Sequence, residues 1–288
     1  MMSASTWFAV DLLAPYEFGF FGRGLVAATF AGALCGVLGV YVVLRGMSYI
    51  GHGLSHAVFG GAAASAVMSV NFFVGAGIWG VISGVLIGRI ARQRILGADA
   101  AIGIVTTASF AAGIALLNRY GQARKSIEAV LFGSVLGVSW GDVAAILVVG
   151  SVVAATLVLA YRSFLFATFD PQVATVSGER VALIEVMLMV MLSGTILVTM
   201  RVIGTLLISA LLVIPAAASR MTTNSFSRLL WLSPVIGAVT CFVGMNASYH
   251  LDTSASATII LLDALVFVVV YAVAGIKNRA KMASLGHL

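Results

Sequence analysis

An all-α, polytopic membrane protein is the fold class this sequence predicts, and three observations predict it. Only 9% of the 288 residues are charged while 61% are hydrophobic; a soluble domain carries about 25% charged residues. So few charges cannot cover a water-facing surface, and lipid is the natural solvent. Uncharged runs of the length a membrane helix needs, about 20 residues, recur along the whole chain. These runs are continuous, whereas barrel strands alternate apolar and polar residues over roughly 10-residue segments, so helices do the spanning.

The runs predict about nine transmembrane helices, at 24–44, 52–70, 72–91, 99–118, 142–161, 181–200, 203–219, 229–249 and 256–275. Asn71 is the sole break between the second and third. Ile127 to Val138 is too short to cross and reads as a re-entrant or interfacial helix, which only surrounding protein or a water-filled cavity tolerates. Pro215 removes a backbone hydrogen bond inside the seventh span and predicts a kink there. No linker or low-complexity stretch divides the chain, so residues 1–288 read as one transmembrane domain. The start, with Asp11 and Glu17 and no early Lys or Arg, is unlike the cationic beginning of a cleaved signal. Cys35 and Cys241 both fall inside apolar runs and form no metal-type pair.

The net charge of +6 is scattered in short clusters between spans, which suits membrane topology and gives no reason to expect a nucleic-acid partner. Eleven of the basic residues, among them Arg45, Arg89, Arg162, Arg180, Arg220 and Arg228, fall on one side. Five, Arg23, Arg119, Arg124, Lys125 and Arg201, fall on the other. The richer side is expected to be cytoplasmic, which puts the C-terminus inside and the N-terminus outside. Glycines four apart, at 32 and 36, 80 and 84, 84 and 88, and 133 and 137, let helix backbones approach closely in lipid. Packing within one subunit, a dimer contact and a conduit lining would each produce that spacing.

The most informative polar group of residues is Gly51-His52-Gly53-Leu54-Ser55-His56. On a helix His52 and His56 project from one face, and imidazole nitrogen is a favoured ligand for zinc, iron, manganese and copper. Two histidines are half a metal site, and a hydrogen-bonded interior pair has the same spacing. Asp263 and Glu185 are carboxylates inside apolar spans, where charge is expensive and marks function by default. For Asp263 a helix-to-helix polar contact is the competing reading; Glu185, close to Arg180, reads equally as solvated or paired. His250 and Asp252, where the eighth span ends, form a second candidate cation contact or an ordinary wet loop. Glu128 and Asp142 flank the 127–138 piece, and Asp142 reads as a helix N-terminal residue favoured by the dipole. Met187, Met189 and Met191 alternate and share no helical face, which argues against a copper-binding methionine stripe. No nucleotide-binding P-loop sequence occurs; ATP, if used, binds to another subunit.

Several segments together resemble one known family, the permeases of metal-type (manganese, zinc or iron) ATP-binding-cassette importers. Leu44-Arg45-Gly46-Met47-Ser48 through Leu54-Ser55-His56-Ala57 is similar to that family's Arg-Met-Ser, Gly-Asp and Leu-Ser-His-Ala stretch, with His52 standing where the family usually has Asp. Leu131-Phe132-Gly133 before Asp142 is a second match. Phe169-Asp170-Pro171-Gln172-Val173-Ala174 followed by Gly178 resembles the cytoplasmic coupling segment, about 164–178, that docks on the ATPase. Ile203 to Ala217 is the most specific match, and Asp252-Thr253-Ser254-Ala255 the weakest.

The resemblance implies a fold like that of the cobalamin and siderophore importers, in a bacterial cytoplasmic membrane. It implies two copies of the permease around a shared path, a cytoplasmic ATPase dimer and an extracytoplasmic metal-binding protein. The transported ion would be the only metal, with no permanently bound cofactor and no enzymatic step in this chain. His52 and His56 become the leading metal contacts, ahead of Asp263, His250 and Asp252. A chelate permease of the same fold and a proton-coupled carrier using Asp263 and the histidines are the alternatives.

Overall fold

The computed structural model describes residues 13–92, 97–120 and 137–285. After a short 3-10 turn at Ala14–Glu17, the long helices are α1 (Gly19–Leu44), α2 (Ile50–Val67), α3 (Phe72–Arg92), α4 (Ala98–Tyr120) and α5 (Trp140–Leu159). Two short helices follow, α6 (Tyr161–Phe169) and α7 (Pro171–Val176), and then α8 (Val181–Thr222), α9 (Phe226–His250) and α10 (Ala255–Leu285). Seven helices among the described residues are long and apolar enough to cross a membrane. α2, whose two histidines and small residues lower its apolar character, is not one of them. It packs against α3, α4 and α8, with Leu54, Ala57 and Val58 wholly buried. A helix sheathed by protein crosses without a lipid-facing surface of its own.

α8 has 42 residues, which as a straight helix would run about 63 Å, twice the hydrocarbon thickness. It folds back instead. Gly204 leaves helical geometry at φ 76° and ψ 161°, a conformation essentially confined to glycine. Glu185 lies within electrostatic reach of Arg45, and a Cβ on Gly39 would collide with the carbonyl of Leu212. Both halves of α8 therefore reach the Arg45 end of α1. At the opposite end the Ile203 carbonyl accepts a hydrogen bond from Ser256 Oγ at 3.0 Å. The halves, 181–203 and 205–222, correspond to the expected spans 181–200 and 203–219, and the described residues make nine crossings in all. The chain breaks from helical geometry at Gly204 and not at Pro215, through which the helix runs on.

α8 is the centre of the bundle. Leu188, Leu192, Ile196, Met200, Ile208, Leu211 and Leu212 are fully buried along it, while α10 shows Leu261, Leu265 and Val268 outward, as a lipid-facing helix does. Lipid tails are as apolar as leucine, so close backbone packing rather than water exclusion holds such helices together. α1 and α9 cross where Gly32 meets Gly237 and Gly36 meets Ser233 and Pro234 so closely that added Cβ atoms would clash. Ser233 Oγ donates across that contact to the Gly36 carbonyl at 2.7 Å. Gly80 and Gly84 likewise face α2 and α8, so these glycine pairs serve packing within the subunit. Gly133 and nearly all of 127–138 lie outside the described residues, as does Glu128.

The two ends of the bundle differ. At one, Arg45 Nε donates to Thr168 Oγ1 at 3.2 Å, and the Phe226 ring meets Tyr41 and Phe169 at 5.7 and 5.6 Å. At the other, Arg23 Nε donates to the Val138 carbonyl at 3.0 Å. There Asp142 closes a capping box with Ser139 at the start of α5 and pairs with Arg201 at 3.7 Å.

Candidate metal-ion site and coupling segment

α2 starts at the Arg45 end, and its first two turns carry His52 and His56. Further along, α2 and α4 press together: a Cβ on Gly60 would strike the Ser109 carbonyl, and one on Gly113 would strike Gly60. Toward the start of α2 the helices frame a cleft of about 510 Å³ lined by Tyr49, His52, Gly53, His56, Asp99, Ile102, Gly103, Thr106, Thr107 and Phe110. The hydroxyl of Thr106 is turned to its own helix, donating to the Ile102 carbonyl at 2.7 Å. The two imidazoles, the Asp99 carboxylate and the hydroxyls of Tyr49 and Thr107 are the other polar side chains that line the cleft.

The helical spacing brings the two imidazoles together, with Nε2 of His56 and Nε2 of His52 3.2 Å apart. One tautomer makes that contact a hydrogen bond. With both lone pairs turned inward, the same separation is a chelate bite. Two nitrogens held about 2.1 Å from one ion at angles of about 90–109° stand about 3.0–3.4 Å apart. Phe110 packs edge-on to the His56 ring at 5.0 Å between centroids and limits its rotation. His56 Nδ1 is buried without a hydrogen-bond partner, leaving Nε2 as the nitrogen that faces His52. Among the described residues no third histidine, cysteine or carboxylate joins the pair in a metal-holding group.

The remaining candidates are not brought to this cleft. Asp263 is 0% exposed and lies within electrostatic reach of Cys35 on α1 and Cys241 on α9, in the α1–α9–α10 interior. His250 and Asp252 are exposed at the far end of the bundle, where Tyr249 meets Phe21 at the start of α1. A 26-residue α1 rises about 39 Å, which separates that end from the His52 end. Met189 and Met191 are buried packing residues. Asp99, Thr106, Thr107 and Phe110 were not among the expected site residues. The one pointer to them in the sequence is Gly53 and Gly60, seven apart on α2 and so on one face, which marks where α4 must approach.

The segment 164–178 forms α6 and α7, joined at a sharp corner. Asp170 caps α7, its Oδ1 accepting from the backbone N–H of Gln172 and Val173 at 3.0 and 2.9 Å, and Pro171 occupies the first helical turn. Asp-Pro at this place suits a helix start, since the missing proline N–H would be unsatisfied anyway. Ala174 is wholly buried, whereas Phe169 is 57% exposed and Val173 and Val176 are also outward. Gly178, at φ 86°, closes the segment before α8.

Known proteins bear on these features. A family model described as the ABC 3 transport family matches residues 17–274. The manganese transport system membrane protein MntC of Halalkalibacterium halodurans is 34% identical over 270 residues, covering 94% of this chain and 91% of that one. PsaBC from Streptococcus pneumoniae in complex with Fab superposes with a TM-score of 0.81 at 30% identity, over 91% of this chain and 94% of that chain. An inward-facing structure of a metal-chelate type ABC transporter, 17% identical, shares the fold with a TM-score of 0.68 over 87% of this chain and 84% of that one. With the family model covering nearly the whole described bundle, the chain belongs to the ABC 3 transport family.

Proposed function

We propose that the chain is the membrane-spanning permease of an ATP-driven importer for a divalent transition metal ion, and that His52 and His56 contact the ion on its way through. The observation that carries the reading is the 3.2 Å separation of the two Nε2 atoms in a cleft between α2 and α4. The relative from Halalkalibacterium halodurans, a manganese transport system membrane protein, supports a metal ion as cargo. One chain offers half a first shell, and a second copy facing it supplies the other half. Few ligands suit a path whose ion must leave again.

The Arg45 end is the cytoplasmic one in this reading, with the C-terminus inside and the N-terminus outside. There a separate ATPase dimer docks on the α6–α7 corner, with Phe169, Asp170, Gln172 and Gly178 toward it and the buried Ala174 holding the corner in place. An extracytoplasmic metal-binding protein delivers the ion at the other end. Closure of the ATPase pushes α6 and α7, and the Arg45–Thr168 hydrogen bond passes that push to the turn that starts α2. The permease thereby alternates between outward and inward states, biased by the nucleotide's different affinity for each. The close histidine pair argues for a bare ion over a chelate, which would need a broad cavity without it.

Uptake into proteoliposomes holding the permease and its ATPase tests this. ATP-dependent accumulation of manganese, zinc or ferrous ion, absent with a proton gradient alone, is the expected result. Accumulation driven by a proton gradient without any ATPase would sink the reading in favour of a secondary carrier.

A further inference from the structure

The nitrogen-only character of the pair has a consequence for which ion is taken. Imidazole suits zinc, iron, nickel and copper, whereas carboxylate and water oxygen suit magnesium, calcium and manganese. In the α2–α4 cleft both groups that meet at bite distance are imidazoles. Asp99 lines the same cleft but does not join them in a metal-holding group, and neither does any other described acidic side chain. The neighbouring hydroxyl of Thr106 is committed to the Ile102 and Gly103 carbonyls at 2.7 and 3.2 Å. Phe110 closes the far side of His56 with an apolar ring.

We propose that this permease prefers borderline ions of the zinc type over manganese, and that His52 is the residue that sets the preference. The proposal rests on the reading that His52 and His56 contact the transported ion. His56 alone would leave half the set open to oxygen ligands. The second imidazole, one helical turn away, turns the pair into a nitrogen chelate and disfavours a hard ion that holds its water.

The test is calorimetric titration of the full-length permease in lipid nanodiscs with zinc chloride and, separately, manganese chloride. Wild type is compared with His52→Asp, with His52→Asn and with the double variant His52→Ala/His56→Ala. The aspartate supplies a hard anionic oxygen and the asparagine a neutral one, so the second serves if the first fails to assemble. The ratio of zinc to manganese affinity is expected to fall about tenfold or more in both oxygen variants, following the ligand preferences of the two ions. A ratio unchanged or increased in them, with binding lost in the double alanine variant, overturns the selectivity assignment and leaves the ion path standing. Binding of both metals that is indifferent to the double alanine variant overturns the selectivity and the path together.

Discussion

The α1–α9 contact and the α2–α4 contact start from the same material and end differently. Both use small residues to bring backbones together, Gly32 and Gly36 on Gly237 and Ser233 in one case, Gly60 on Ser109 and Gly113 in the other. The α1–α9 contact is tight through two successive turns and is tied by the Ser233–Gly36 hydrogen bond. The α2–α4 contact is made backbone to backbone at Gly60 and Gly113 but through the side chains of Ile102 and Thr106 at Gly53, and beside Gly53 the imidazoles of His52 and His56 line an open cleft. A closed glycine seam is a strut. A seam flanked by a cleft is a strut with a site at its side, and the two imidazoles stand beside the contact rather than in it.

That contrast can be broken most forcefully at the strut. Gly237→Leu places a large side chain where even a Cβ meets the Gly32 backbone. Overpacking a dense interior costs about 1–3 kcal/mol and occasionally more, and here backbone must give way. The folded yield after detergent extraction, read by size-exclusion profile, should collapse. A normal profile would mean that the seam is looser than described.

At the site the expected effect is on function and not on folding. His52→Ala and His56→Ala remove groups at an open cleft, so the folded yield should hold while metal uptake with the ATPase present falls at least tenfold. That drop corresponds to about 1.4 kcal/mol or more of lost ion contact. Uptake within twofold of wild type in both variants would divorce the cleft from transport.

A smaller and more selective effect is expected between the two regions. Arg45→Ala cuts the bond to Thr168 without touching the cleft, so metal binding should stay unchanged while ATP-driven uptake falls several-fold. Equal loss of binding and uptake would make Arg45 a structural residue only.

The α8 turn offers a stability test of intermediate size. Gly204→Ala forces a side chain into a conformation that costs about 1–3 kcal/mol for other residues, and a lowered midpoint of thermal unfolding is the expected readout. The smallest effect belongs to Ser233→Ala, which removes one interhelical hydrogen bond worth about 0.6 kcal/mol in a membrane protein. A shift larger than that of Gly204→Ala would reverse their order.

Much of the fold was legible because membrane helices announce themselves as uncharged runs, and all nine expected spans have counterparts. The reversal within α8 was legible only as an interruption near Arg201; that the chain turns at Gly204 depends on a backbone angle that one glycine in an apolar run does not reveal. Pro215 attracted attention for the opposite reason, since its residue type predicts a kink, and the helix keeps helical dihedral angles through it. The histidine pair was legible from its spacing, because i and i+4 meet on any helix. Its cleft was not. Asp99, Thr107 and Phe110 come from α4, and which face of α4 meets α2 is decided by glycine contacts far from them in sequence. Asp263 stood out as an intramembrane carboxylate, but only the three-dimensional arrangement places it in the α1–α9–α10 interior, away from the cleft. The α6–α7 corner was legible through Asp170-Pro171, a helix start that local chemistry alone specifies.

Whether His52 and His56 hold the transported ion together can be read at the metal itself by X-ray absorption at the zinc edge. The full-length permease in nanodiscs, loaded with zinc and washed, should show nitrogen scattering at about 2.0–2.1 Å with the outer-shell pattern of imidazole, and the double variant His52→Ala/His56→Ala should retain no such zinc. An imidazole pattern that survives in the double variant, or a wild-type spectrum of oxygen ligands alone, would contradict the account.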